Sequence, residues 1–251
     1  MVWKITDEVF STIDEGVGLQ INGIFIKAPP GQSLLMTARQ NGFEIPTLCH
    51  HPDLPSEGQC RLCLVEIGEY PHTRLVNSCT YPTTAGLMVQ TASEKVLQAR
   101  RMVLELLLAR CPKAPLIRDL AAEMGVYESR FKTDDPEELC ILCGLCVRTC
   151  RDIVGVSAIS MAHRTPGKLV ATPFLEQSEA CIGCGSCAFI CPTNVIPYTE
   201  KDGIRTIWGR DFELQPCNVC GNYIAPLYQL EHWAKITGDP VDHFFVCRDC
   251  R

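Results

Sequence analysis

The sequence has no surplus of positive charge: 23 Lys and Arg stand against 29 Asp and Glu, for a formal net charge of −6. Nucleic acids and anionic membrane surfaces select for basic clusters, so neither is expected as a partner. Long apolar runs are missing too. The longest, MVLELLLA at 102–109, is broken by Glu105 and falls well short of the roughly 20 residues that a bilayer demands. The first ten residues, MVWKITDEVF, carry Asp7 and Glu8 in place of the basic-then-apolar order of an export signal. These absences predict a soluble, cytoplasmic chain without membrane insertion. No GxGxxG follows a strand-like run and no GxxxxGK[ST] occurs, so no dinucleotide or nucleotide site is expected. No constellation of nucleophile and general base stands out, and no catalytic residue is assigned.

What the chain does have is cysteine: 17 of its 251 residues, 16 of them in clusters with recurring CxxC spacing. An exported disulfide scaffold spreads its cysteines more evenly, whereas thiols in a reducing compartment stay available as metal ligands. Two runs, LCILCGLCVRTC at 139–150 and CIGCGSCAFIC at 181–191, share the pattern CxxCxxCxxxC. In two-cluster ferredoxins the first three thiolates of such a run hold one [4Fe–4S] cube and the fourth crosses to the other. That logic assigns Cys140, Cys143, Cys146 and Cys191 to one cluster, and Cys181, Cys184, Cys187 and Cys150 to the second. A pair of zinc sites is the alternative use of the same thiols. Gly144, Gly183 and Gly185 are expected to let the backbone approach the inorganic sulfides. Arg151 follows the first run where Pro192 follows the second, and reads as a solvated arginine or as a charge tuning the second cube. The stretch HRTPGKLVATP at 163–173 is expected to form a hairpin.

Upstream, Cys49, Cys60, Cys63 and Cys79 are spaced Cx10CxxCx15C. A CxxC pair with two more distant thiolates suits a planar [2Fe–2S] cluster, with zinc as the rival. His50 and His51 lack the spacing of a Rieske-type centre and read as loop residues. Before the site, LQINGIFIKAPPGQSLLMTARQNG predicts a strand, an Asn-Gly turn, a second strand and a helix starting near Ser33. LCLVEIG and LMVQTA predict further strands. At the other end, Cys217 and Cys220 pair with Cys247 and Cys250 as two CxxC knuckles. Zinc is the first choice for them, a third [4Fe–4S] cluster the alternative, and a rubredoxin-like single iron the remaining one. His232 and His243 are spare, since four thiolates complete the shell.

This order of motifs resembles the N-terminal part of the large iron–sulfur subunit of respiratory complex I. It also resembles the small diaphorase iron–sulfur subunit of NAD-linked hydrogenases and formate dehydrogenases. The likeness covers about residues 18–200. It departs at one point: those relatives carry HxxxCxxCxxxxxC between the two modules, and here that interval holds only Cys111 and no histidine. Residues 93–135 are therefore expected as a helical linker that has lost a cluster, with Val96, Ala99, Val103 and Leu107 on one face of an amphipathic helix and Cys111 a buried structural thiol.

The whole is an α+β chain of four parts. These are a β-grasp [2Fe–2S] domain at 1–92, the linker at 93–135, a double-[4Fe–4S] ferredoxin domain at 136–210 and a four-cysteine metal domain at 211–251. The resemblance implies an electron-relay subunit of a hetero-oligomer, working between a flavin/NAD(P)H-binding subunit and another redox centre. That centre would be a hydrogenase, a formate dehydrogenase or a flavin-based bifurcating transhydrogenase. A freestanding multi-cluster ferredoxin and an assembly or scaffold protein with structural clusters are the competing readings.

Overall fold

Asn22 and Gly23 both adopt left-handed backbone, with φ of 50° and 81°, which is what a two-residue hairpin loop with the twist of its flanking strands requires. They join strands β1 (Val17–Ile21) and β2 (Ile24–Ala28) in antiparallel register, Ile21 opposite Ile24. A computed structural model describes residues 16–164 and 167–251 of the chain. The N-terminal stretch and the tip of the expected 163–173 hairpin, at 165–166, lie outside the described residues. The chain divides into two compact units, Met1–Cys143 and Gly144–Arg251.

The first unit is built on a five-stranded sheet of order β2-β1-β5-β3-β4, completed by β3 (Leu64–Ile67), β4 (Arg74–Asn77) and β5 (Met88–Gln90). β1 and β5 run parallel and the other pairs antiparallel. Helix α1 (Leu34–Gln40) starts where Ser33 Oγ accepts the Met36 N–H at 3.3 Å, the side-chain cap that frees a helix from one orphan donor. Its Leu34, Leu35 and Ala38 pack with Leu19, Ile21 and Val65 of the sheet, each large side chain contributing about 1.5–3 kcal/mol of burial. Cys63 and Cys79 belong to that same core.

Two helices follow, α2 (Glu94–Arg110, capped by Ser93) and α3 (Pro115–Glu123). The buried stripe of α2 is Val96, Arg100, Leu104 and Leu108, one residue on from the expected face; Ala99, Val103 and Leu107 are only half-buried. The cause is Arg100. Its side chain is 3% exposed and donates from Nε to the Leu62 carbonyl at 3.1 Å and from Nη2 to the Leu64 carbonyl at 2.7 Å. Cys111, at the helix end, is fully buried.

In the second unit, Gly144 (φ 73°) opens a short helix α4 (Leu145–Arg148) that runs into a π-helical turn at Thr149–Ile153. Gly185 (φ 74°) opens α5 (Ser186–Phe189) in the same way. Both CxxCxxC runs thus end on a left-handed glycine and a one-turn helix. Strands β6 (Ser160–Ala162) and β7 (Leu169–Ala171) pair antiparallel in the region expected as a hairpin. Next comes an antiparallel sheet of β8 (Tyr198–Lys201), β9 (Ile204–Ile207), β10 (Arg210–Pro216) and β11 (Tyr223–Pro226), in the order β11-β10-β9-β8. Helix α6 (Leu227–Thr237) closes the unit and is terminated by Gly238 (φ 79°). No helix among the described residues is long and apolar enough to cross a membrane.

Candidate metal centres

In the first unit the four thiols meet two by two. The Cys60 N–H donates to Cys49 Sγ at 3.3 Å, and Cys63 Sγ lies 3.3 Å from Cys79 Sγ. The contact with Cys49 draws the Cys60 thiol down to about 6, and the contact with Cys79 draws Cys63 down to about 7. Cys49 and Cys79 are pushed up by the same contacts and then by burial. Two thiolates so close repel each other, and a cation between them relieves the repulsion. A planar two-iron rhomb would supply one at each end, with two thiolates on each iron. The backbone is bent to serve the site: Arg61, between the CxxC pair, takes a φ of 59°, an uncommon conformation for a side-chain-bearing residue. His50 Nδ1 contacts Ser56 Oγ at 3.0 Å and His51 Nδ1 approaches Asp53 at 3.6 Å, so both ring nitrogens serve the loop.

In the second unit Cys150, Cys181, Cys184 and Cys187 line one cavity, its other walls largely apolar: Val154, Val156, Ile159, Ile182 and Ile207. Cys150 comes from the π-helical turn of one run and the other three from the loop and helix of the second. Burial raises the thiols of Cys150 and Cys181, and that of Cys187 to about 11. Two donors offset it: the Ala158 N–H reaches Cys150 Sγ at 3.2 Å and the Trp208 indole N–H reaches Cys187 Sγ at 3.4 Å. Donor set and apolar jacket both suit a buried [4Fe–4S] cluster, whose thiolates need charge balance from metal and N–H···S contacts. The glycines of this loop have a further reason beyond room for sulfide. A Cβ on Gly183 would stand 2.7 Å from the Phe212 ring, and one on Gly185 2.6 Å from that of Tyr198.

The remaining ferredoxin-type thiols divide between the units. Cys140 and Cys143 close the first, where the Cys140 carbonyl accepts from Arg110 Nε at 2.8 Å and from Cys111 Sγ at 3.3 Å. Cys146 belongs to the hydrophobic cluster of the second, and the half-buried Cys191 packs against it. Arg151 is exposed and forked onto Asp152 at 2.6 and 2.9 Å, as the solvated reading expects.

The C-terminal thiols are the tightest group. The sulfurs of Cys217, Cys220, Cys247 and Cys250 all lie within 4.8 Å of one another, Cys220 and Cys247 at 3.7 Å. A tetrahedral ion with metal–sulfur bonds of about 2.3 Å sets its sulfurs about 3.8 Å apart, whereas a cubane spreads its thiolates to roughly 6 Å or more. The Cys247 and Val219 N–H groups donate to Cys217 Sγ at 3.3 and 3.4 Å, and backbone donors of this kind bring the Cys217 thiol down to about 6. The Asn218 N–H, donating to the Phe245 carbonyl at 2.9 Å, ties the two knuckles together. His232 Nε2 contacts the Val154 carbonyl at 2.7 Å instead of joining the sulfurs.

Sequence reasoning missed the polar side chains that brace these loops. Arg100 holds the carbonyls on either side of Cys63, and Arg110 holds that of Cys140. Arg205 donates to the Gly183 carbonyl at 2.8 Å and Arg210 to that of Cys181 at 3.1 Å. One signal was present: Arg100 interrupts an apolar i, i+4 row, and a charge there needs a buried partner.

Residues 14–94 match the family model of the 2Fe-2S iron-sulfur cluster binding domain, and residues 139–195 that of the 4Fe-4S dicluster domain. The chain is 30% identical over 206 residues to an NADH-quinone oxidoreductase subunit of Rhizobium meliloti (strain 1021), covering 70% of this chain and 24% of the relative. It is 30% identical over 212 residues to the NADP-reducing hydrogenase subunit HndD of Solidesulfovibrio fructosivorans, covering 71% and 35%. A chain in the crystal structure of an NAD+-reducing [NiFe]-hydrogenase in the H2-reduced state superposes with a TM-score of 0.55 at 31% identity, over 62% of this chain and 74% of that one. This chain spans about a quarter to a third of the length of the curated relatives named here.

Proposed function

This chain belongs to the family of iron–sulfur subunits of NAD(P)-linked oxidoreductases, and from that premise we propose that it is the electron relay of a multi-subunit complex. It would connect a flavin/NAD(P)H-binding subunit, at the [2Fe–2S] end, with a further redox centre. The candidates for that centre are a hydrogenase, a formate dehydrogenase or a bifurcating transhydrogenase. In this reading the first unit is a β-grasp domain whose Cys49 and Cys60 share one iron and whose Cys63 and Cys79 share the other. Cys150, Cys181, Cys184 and Cys187 hold one [4Fe–4S] cluster, and Cys140, Cys143, Cys146 and Cys191 are assigned to the second on spacing. Cys217, Cys220, Cys247 and Cys250 are assigned to a single structural zinc; sulfur separations near the edge of a tetrahedron support one ion over a cubane.

When bound, the clusters take up and release single electrons; the chain's own residues hold them, exclude water and set their charge environment. The observation that carries the reading is the meeting of Cys150 with Cys181, Cys184 and Cys187 around one apolar cavity. This meeting supports the crossing of ligands between runs that two-cluster ferredoxins use. Metal analysis of anaerobically purified protein is expected to give about ten irons and one zinc per chain; about fourteen irons without zinc would make the tail a third cubane. With partner subunits added, Cys60→Ala together with Cys63→Ala should abolish NAD(P)H-linked turnover, and unchanged turnover would reject the relay role.

A further inference from the structure

Trp208 occupies a place in the β9–β10 hairpin that its own backbone disfavours. Arg210 pairs with Ile207, so Trp208 and Gly209 form a two-residue loop, with φ of 53° and 69°. Left-handed backbone at both positions favours Asn, Asp or Gly, and a bulky aromatic there is an outlier. Such strain persists where the surroundings over-determine it and clusters at functional sites. The surroundings here are the cavity of Cys150, Cys181, Cys184 and Cys187, which Trp208 helps to line. Its indole Nε1 stands 3.4 Å from Cys187 Sγ. An indole N–H can only donate, so the sulfur is the acceptor.

The same hairpin also fixes the loop that carries the other thiols. Arg205 Nη1 donates to the Gly183 carbonyl at 2.8 Å and to Gln229 Oε1 at 3.0 Å. Arg210 Nη1 donates to the carbonyls of Ser178 and Cys181 at 2.9 and 3.1 Å, and its guanidinium lies over the rings of Phe212 and Tyr228 at 4.7 and 5.2 Å. The indole thus stands against a sulfur whose loop is anchored to the same hairpin by these bonds. Trp208 also lies beyond the 139–195 segment that matches the dicluster model, so it is supplied by the sheet that follows the cysteine runs.

We propose that Trp208 is a positioning residue that sets the reduction potential of the cluster bound by Cys150, Cys181, Cys184 and Cys187, by donating its indole N–H to the Cys187 thiolate. A donor to a ligating sulfur stabilises the more negative, reduced form and so raises the potential. The proposal rests on the cluster assignment made above, and the test separates the two. In the full chain, purified and reconstituted without oxygen, Trp208→Phe removes the donor and keeps an aromatic ring. Trp208→Asn removes it and relieves the turn. Reduction is followed by EPR in a potentiometric titration, with Cys187→Ser identifying which [4Fe–4S] signal belongs to this cavity.

The expected result is that both Trp208 variants keep the wild-type iron content. They should also move that signal alone about tenfold toward the oxidised form, about 59 mV for a one-electron couple. An unmoved midpoint overturns the inference, as does a shift of the other clusters or loss of the cluster from both variants. If Cys187→Ser leaves both [4Fe–4S] signals unchanged, the cluster assignment itself has failed.

Discussion

Arg100 braces the first unit without being a candidate ligand. Its guanidinium is buried and donates to the Leu62 and Leu64 carbonyls, one on each side of Cys63. Burial depresses its pKa, and the Cys63 sulfur partly restores it, which places the positive charge close to the thiolate. A hydrogen bond to a charged group contributes about 1.5–3 kcal/mol. Arg100→Met removes two of them and orphans two carbonyls, while sparing the cost of burying the guanidinium. The net loss is about 3 kcal/mol, which corresponds to somewhat over a hundredfold in a rate or equilibrium constant. Because unfolding of a cluster-bearing protein is irreversible, the useful measure is the rate at which the visible [2Fe–2S] absorption bleaches in denaturant. Arg100→Met should bleach up to about a hundredfold faster, and Arg100→Lys should fall between it and the wild type because an ammonium cannot span both carbonyls. The [2Fe–2S] midpoint should also move negative as a positive charge is lost. Bleaching of Arg100→Met within about twofold of wild type would refute the bracing role, since that is only about 0.4 kcal/mol.

Three further outcomes are expected. Cys150→Ala should remove or convert one [4Fe–4S] signal and lower the iron count from about ten toward about six, leaving the [2Fe–2S] signal intact; unchanged iron would contradict the crossed ligation. Cys220→Ser combined with Cys247→Ser should release one zinc and lower the thermal stability of the second unit while the EPR spectra persist; loss of a paramagnetic signal would show that the tail carries iron. Cys111, with its thiol pushed up to about 12 by burial, should resist alkylation in the native protein. Cys111→Ala should keep the full iron content at a stability cost of about 1–2 kcal/mol, and fewer irons would show that it takes part in metal binding.

The elements legible in the sequence are those whose signal is local. The Asn22-Gly23 turn and the Ser33 cap depend on residues within three or four positions, and the structure has both where the pattern placed them. Strand β4 went unread because RLVN is short and only half-buried, leaving little alternation to detect. The face that α2 buries was not legible for a different reason. Val96, Ala99, Val103 and Leu107 form the more apolar row, yet the helix buries the row through Arg100, whose guanidinium satisfies the two carbonyls that flank Cys63. That need belongs to the sheet and is invisible from the helix.

The same distinction separates the thiols from their supports. A cluster constrains its ligands through short covalent loops, so CxxCxxC and paired CxxC knuckles announce themselves at fixed spacing, as at Cys181–Cys187 and Cys217–Cys220. What surrounds the sulfurs obeys no such spacing. Arg205, Trp208 and Arg210 lie 21 to 29 residues beyond the groups they contact, brought there by a hairpin whose turn residue is chosen against its backbone preference. Thiols alone would bind clusters of whatever potential their burial dictates. An indole donor on one sulfur and guanidinium groups on neighbouring carbonyls give this fold a means of adjusting that potential without changing a ligand. In the proposed relay such a means would let centres with the same ligands differ in how readily they accept an electron.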